Sequence, residues 1–197
     1  MVEESKKVVE LDYLANVSGR GRRLGQKWSK SSLNELANYL KKQKVDFELF
    51  PEKGSFKIKG FFDENGNPAI FPDGKQAAFV YTANEAKFIV RDGATLFETL
   101  HELIHMKHAK KIGLKKYHSL GGYQTSGELI KEQLVFDNLM KYKSFLTKEE
   151  VKWSLTYLNE YIYSIRGIEP IQLNFNINTI PDVRKEVNIK EILNIKI

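Results

Sequence analysis

Apolar residues recur along this 197-residue chain with two different periods, and the change of period organises it. Asp46–Phe50, 55–62, 76–82 and Ala86–Arg91 are short bursts of aromatic and branched residues. They are broken by Pro51, by Asn65-Gly66 and by Pro72-Asp73-Gly74. Bursts of this length between turn residues predict strands, and their short connections predict a small twisted sheet, mostly antiparallel. On either side the period lengthens to that of a helix. Ser32 and Glu35 form a capping box ahead of Leu33, Leu36, Ala37 and Leu40, which predicts a helix over 32–43. Thr95 and Glu98 open a second helix over Leu96–Ile112, with Phe97, Leu100, Leu103 and Ile104 as its inward stripe; Lys110, Lys111 and Gly113 close it. A loop over 115–126 contains Gly121-Gly122, and a helix over 127–142 follows. Thr147 and Glu150 cap another, with Val151, Leu155, Leu158 and Ile162 facing inward. The predicted fold class is α+β: a small sheet, a central helix, then a helical C-terminal half.

The flanks read differently. Residues 1–30 include the Gly-rich, basic run SGRGRRLGQKWSK and are expected to be a connector. Residues 31–163 carry the periodic pattern and are expected to form the domain. Residues 164–197 are rich in Asn and Ile, with Pro170 and Pro181, and are expected to add a strand or two or to wrap the domain.

Composition narrows the chemistry. The chain has no cysteine, so a bound metal must be held by His, Glu or Asp. The net charge of +6 comes partly from residues 20–23 (RGRR) and from lysines at 107–116, and is expected to be a solvated face. No reader motif or basic stripe interleaved with aromatics accompanies it, so no nucleic-acid partner is expected. No apolar run is long enough for a membrane span, and the first twenty residues lack the apolar core of a secretory signal.

The helix Leu96–Ile112 carries the candidate chemistry. His101-Glu102-Leu103-Ile104-His105 is an HExxH motif. One helical turn stacks His101 over His105, so both imidazoles reach one Zn²⁺, and Glu102 is placed to take a proton from a metal-activated water. Such a site needs a third protein ligand. The candidates are His108, His118, Glu128, Glu132 and Asp137. On a wheel of 127–142, Glu132 falls among Leu129, Val135, Phe136, Leu139 and Met140, where an ionised carboxylate is costly unless paired or metal-bound. This favours Glu132 as ligand with Glu128 hydrogen-bonded to a histidine, the swapped assignment being the alternative. His108 shares the His101 face but is expected to be a neighbour of the site, and His118 an ordinary loop residue.

The stretch ATLFETLHELIHMKHAKKIGLKKY, followed by KEQLVFDNLM, resembles the zincin-like metallopeptidase domains at the C-termini of bacterial polymorphic toxins. The matching parts are Phe88, Ile89 and Val90, Gly93, His101 to His105, Gly113, Tyr117, and the run from Glu132 to Asp137. The resemblance covers roughly residues 31–162 and implies a gluzincin-type site of two His and one Glu, which supports Glu132. It also implies a protein or peptide substrate, delivery of the domain into target cells by a specialised secretion route, and a cognate immunity protein. The loop GGYQTSG is longer than in that group, and the tail has no counterpart in it.

A zinc peptidase also needs a donor for the tetrahedral oxyanion, and Tyr117 and Tyr123 are the candidates in the loop near the site. Ala86–Arg91, if an edge strand, is a candidate for pairing with substrate backbone. The alternative readings are a catalytically inactive binding module on the same fold and, behind it, a basic nucleic-acid-binding protein.

Overall fold

The computed structural model describes residues 25–63, 65–122 and 124–197, so the RGRR run lies outside the described residues. The fold is α+β. Helix α1 (Lys30–Lys42) leads into β1 (Asp46–Phe50), a hairpin of β2 (Phe56–Phe62) and β3 (Pro68–Phe71), then β4 (Ala77–Tyr81) and β5 (Ala86–Arg91). Helices α2 (Leu96–Ile112), α3 (Leu114–Ser119), α4 (Ser126–Lys141), α5 (Lys148–Thr156) and α6 (Ile189–Leu193) follow, and a π-helical stretch over Tyr157–Tyr163 continues α5.

Two sheets replace the single, mostly antiparallel one expected. β5 lies at the centre of the first, antiparallel to β4 and parallel to β1; β2 and β3 pair antiparallel as a separate sheet. Short connections do give antiparallel neighbours at β4–β5 and β2–β3. Between β1 and β5, however, the chain leaves to build the hairpin and returns, and that excursion is the crossover a parallel pair requires. The central position of β5 also corrects its expected role, because both of its edges are already hydrogen-bonded. The edge strand beside α2 is β4.

The alternation of a strand sends successive side chains to opposite faces. Phe88 and Val90 of β5, with Phe79 and Tyr81 of β4, join the main core with α1 and α2. Ile89, Ala78 and Val80 point the other way, onto Ile58, Phe61, Ala69 and Phe71 of the hairpin. A strand buried on both faces reads as a continuous apolar run, as AKFIV does.

Arg91 ends β5 and ties the two sheets together. It is fully buried, and its guanidinium donates to the carbonyls of Lys75, Pro51, Gly54 and Pro72 at 2.5 to 2.9 Å. The same group lies 4.8 Å from the Phe71 ring centre and 5.5 Å from that of Phe56. Planar, forked donors suit this task and a point-charge ammonium does not.

Helix α2 begins with the Thr95–Glu98 box, the Glu98 carboxylate accepting from Thr95 N–H and Oγ1 at 2.9 Å each. From Leu96 to Met106 every residue is buried, so α2 is a spine enclosed on all sides rather than a surface helix with one inward stripe. Helix α1 starts at Lys30, two residues before the expected start, because Ser29 and not Ser32 is its N-cap, accepting from Ser32 N–H at 3.1 Å. Residues 115–126 hold the short helix α3 as well as the loop. The tail forms no strand among the described residues. It wraps the domain, burying Ile180, Val187, Ile189, Ile192, Leu193 and Ile195 in the main core, and Val187 exchanges two hydrogen bonds with the side chain of Gln26. No helix among the described residues is long and apolar enough to cross a membrane.

Replacing Arg91 by Met strips buried carbonyls of their donor at about 1–3 kcal/mol apiece. We expect Arg91→Met to lower unfolding stability by about 3–5 kcal/mol in urea titrations. Arg91→Lys is expected to recover less than half of that loss, since one ammonium cannot reach carbonyls on four sides.

Candidate metal centre

Helix α2 brings His101 and His105 one turn apart on the face that meets α4, and α4 supplies Glu132. The two imidazole Nε2 atoms are 3.2 Å apart. Glu132 Oε1 lies 3.1 Å from Nε2 of His105, and Oε2 lies 3.5 Å from Nε2 of His101. All three residues are buried. Burial, reinforced by His105 and Lys75, holds the His101 imidazole well below its usual pKa, so the ring is neutral and its approach to Glu132 is no ion pair.

The spacing tests whether this donor set suits a metal. Donors at about 2.0–2.1 Å from a tetrahedral ion stand about 3.3 Å from one another. The two histidine nitrogens, 3.2 Å apart, match that spacing, and each faces its own oxygen of the Glu132 carboxylate, at 3.1 and 3.5 Å. Two nitrogens and a carboxylate pointed at one buried spot repel one another unless a cation neutralises them, so the residues fit a divalent metal.

Behind His105, the Tyr117 hydroxyl lies 2.9 Å from Nδ1. With Nδ1–H donating to the phenol oxygen, Nε2 keeps its lone pair for the cluster. Nδ1 and Nε2 diverge from the ring, so a hydroxyl on Nδ1 lies behind His105 and can orient the histidine. Tyr123, the other candidate donor, lies outside the described residues.

Glu102 follows His101 on α2 and reaches the neighbouring sheet strand. Its Oε2 accepts the backbone N–H of Phe79 at 2.8 Å, which fixes the carboxylate between the helix and the outer edge of β4. On the side of His101, Tyr157 presents its ring edge-on with centroids 6.0 Å apart. Phe97, Val135, Phe136, Leu139 and Trp153 close an apolar wall next to His101 and Glu132. Tyr157 opens the π-helical stretch, a local insertion that re-aims side chains and recurs at functional sites.

The remaining candidates stand outside the cluster. The Glu128 carboxylate accepts from Arg166 and from the Gln124 N–H, so its charge anchors the loop before α4. One turn of helix separates it from Glu132, enough to put it level with that loop. Asp137 is exposed and accepts from Gln133 Nε2 at 2.9 Å, on the outer face of α4. His108 is buried edge-on to Tyr117 at 5.2 Å, and its Nδ1 has no hydrogen-bond partner among the described residues. Burial, with His105, Lys131 and Lys111, lowers its pKa to about 4. His118 meets the Tyr81 ring edge-on at 6.3 Å from the short helix α3.

Sequence reasoning missed Lys131, Tyr157, Tyr81 and the Phe79 N–H. For Lys131 a signal existed. Residues 128, 131, 132, 135, 136 and 139 recur at helical spacing and are all buried, so the stripe that holds Glu132 holds Lys131 too.

Residues 24–167 match the metallopeptidase toxin 4 family, and the chain belongs to that family. No curated protein and no solved structure matches the chain.

His108 makes the metal-free protein sensitive to acid. Its folded pKa is depressed to about 4 from an ordinary 6.5, so between these values the unfolded chain binds the extra proton. Its contribution to stability is present above pH 6.5 and is lost as the pH falls towards 4. Urea titrations in chelator should show His108→Phe gaining on the wild type as the pH drops through this window. A constant difference between the two would contradict the buried neutral imidazole.

Proposed function

We propose that this member of the metallopeptidase toxin 4 family is a zinc-dependent peptidase with a zincin-like fold, its catalytic unit within residues 31–163 and a gluzincin-type centre formed by His101, His105 and Glu132. The buried cluster of two Nε2 atoms 3.2 Å apart, each facing an oxygen of the Glu132 carboxylate, with Glu102 on the adjacent helical position, carries this reading. Nitrogen and carboxylate donors at tetrahedral spacing, in a chain without cysteine, favour zinc among the available divalent ions. When bound, the ion supplies a Lewis acid that polarises a peptide carbonyl and acidifies water.

The chain's own residues do the rest. His101, kept neutral by burial, and His105 would hold the ion. Glu132 adds the negative charge that a buried dication requires. Glu102 takes the proton of the attacking water on a carboxylate oxygen and passes it to the leaving amine. The Phe79 N–H keeps that carboxylate aligned, so no rotamer search is needed when water and substrate arrive. A purely structural metal centre has no use for a carboxylate fixed in this way, which favours catalysis over the inactive binding module. The family's description as a toxin supports delivery into target cells, a protein substrate there and a cognate immunity protein as partner.

One pair of measurements tests the reading. Glu102→Gln is expected to bind zinc as the wild type does and to lose peptide hydrolysis by at least about 10²-fold. Cleavage products from a target-cell proteome report the activity, and elemental analysis reports the metal. A variant that cleaves at the wild-type rate overturns the role of Glu102.

A further inference from the structure

Lys131 precedes Glu132 on α4 and is buried at 4% exposure. Its Nζ donates to the Tyr81 hydroxyl at 2.6 Å and to the Gly121 carbonyl at 2.5 Å. The same ammonium lies 4.9 Å from the centre of the Tyr81 ring and 4.5 Å from that of Tyr117. The two rings meet edge to face at 4.9 Å. Edge strand β4, the Gly121 turn and helix α3 therefore enclose one cation. Taking an ammonium out of water is costly, and two aromatic faces with two hydrogen bonds offset the loss only while all stay in register. The cage therefore holds the lysine, and the lysine holds the Tyr117 ring.

We propose that Lys131 is a positioning residue of the metal centre, acting through Tyr117 on His105. The inference rests on the reading that the His101–His105–Glu132 cluster binds zinc. The ammonium pins the Tyr117 ring by its face and the Tyr81 hydroxyl by a hydrogen bond. Tyr117, so pinned, keeps its oxygen on Nδ1 of His105, and His105 keeps Nε2 turned to the cluster. A positive charge near a metal site by itself weakens cation binding, so electrostatics alone and positioning predict opposite effects of removing it.

Zinc titrated against a chromogenic chelator, using the full chain, separates these outcomes. Lys131→Met keeps the length of the side chain and removes the charge. It should weaken zinc binding about 10-fold, and Tyr117→Phe about 10- to 100-fold. The double variant should bind no more weakly than Tyr117→Phe, because both act along one path. Lys131→Arg, which retains a cation on the rings, should recover part of the loss. Thermal melts in chelator establish that each variant is folded before the titration. Should Lys131→Met not fold, Tyr81→Phe removes only the hydroxyl that Lys131 grips and should weaken zinc binding about threefold. Wild-type affinity in that variant would then overturn the proposal.

Affinity in Lys131→Met equal to or tighter than that of the wild type overturns the proposal, as do losses that simply add in the double variant. A wild-type chain that takes up no zinc overturns the zinc reading and this inference together. A wild type that binds zinc, with Lys131→Met binding as well, overturns this inference alone.

Discussion

Three electron-rich groups are held against one another at a single buried point: two imidazole nitrogens and the Glu132 carboxylate, 3.1 to 3.5 Å apart. Burying a carboxylate beside two imidazoles carries a desolvation cost, which a cation held between them would offset. The protein meets that cost with rigidity. Helix α2 is enclosed along most of its length, α4 lies against it, and Tyr117 fixes the back of His105. The family assignment over residues 24–167 and the buried group of His101, His105 and Glu132, which could hold a metal ion, agree in kind.

The sheet contributes more than a platform. Its edge strand β4 gives the Phe79 N–H to Glu102 and the Tyr81 ring to the cage around Lys131, so one strand registers both the candidate base and the support of a candidate ligand. β4 is held in place by β5, and the loops around β5 are gathered by Arg91. A chain of contacts therefore runs from a buried arginine at one end of the sheet to the histidines on α2. The tail adds to the same scaffold, packing its isoleucines into the main core and accepting Lys107 of α2 at the Leu193 carbonyl.

Much of this was legible in the sequence where a local rule acts alone. The helix Leu96–Ile112 has both its capping box and its terminating glycine written in adjacent residues, and the strands β1 and β5 are bounded by turn formers. Glu132 was legible because a carboxylate among Val135, Phe136 and Leu139 has no reason to be there as a solvated group. What escaped depends on distant partners. Nothing local says that β1 pairs with β5 in parallel, or that the short strand β3 exists, since pairing is decided by the path of the chain between them. Tyr117 was legible as a residue near the site but not as the partner of Nδ1, because a phenol's direction depends on where α3 packs. Lys131 was hidden by the habit of reading lysine as surface; only its spacing from Val135 and Leu139 placed it inside.

Whether His101, His105 and Glu132 hold one metal ion together can be read from an anomalous difference map of crystals grown with zinc. A single strong peak is expected about 2.0–2.1 Å from Nε2 of His101, Nε2 of His105 and a carboxylate oxygen of Glu132. A peak held by Glu128 in place of Glu132, or no peak at the two histidines in protein shown to be folded, would contradict it.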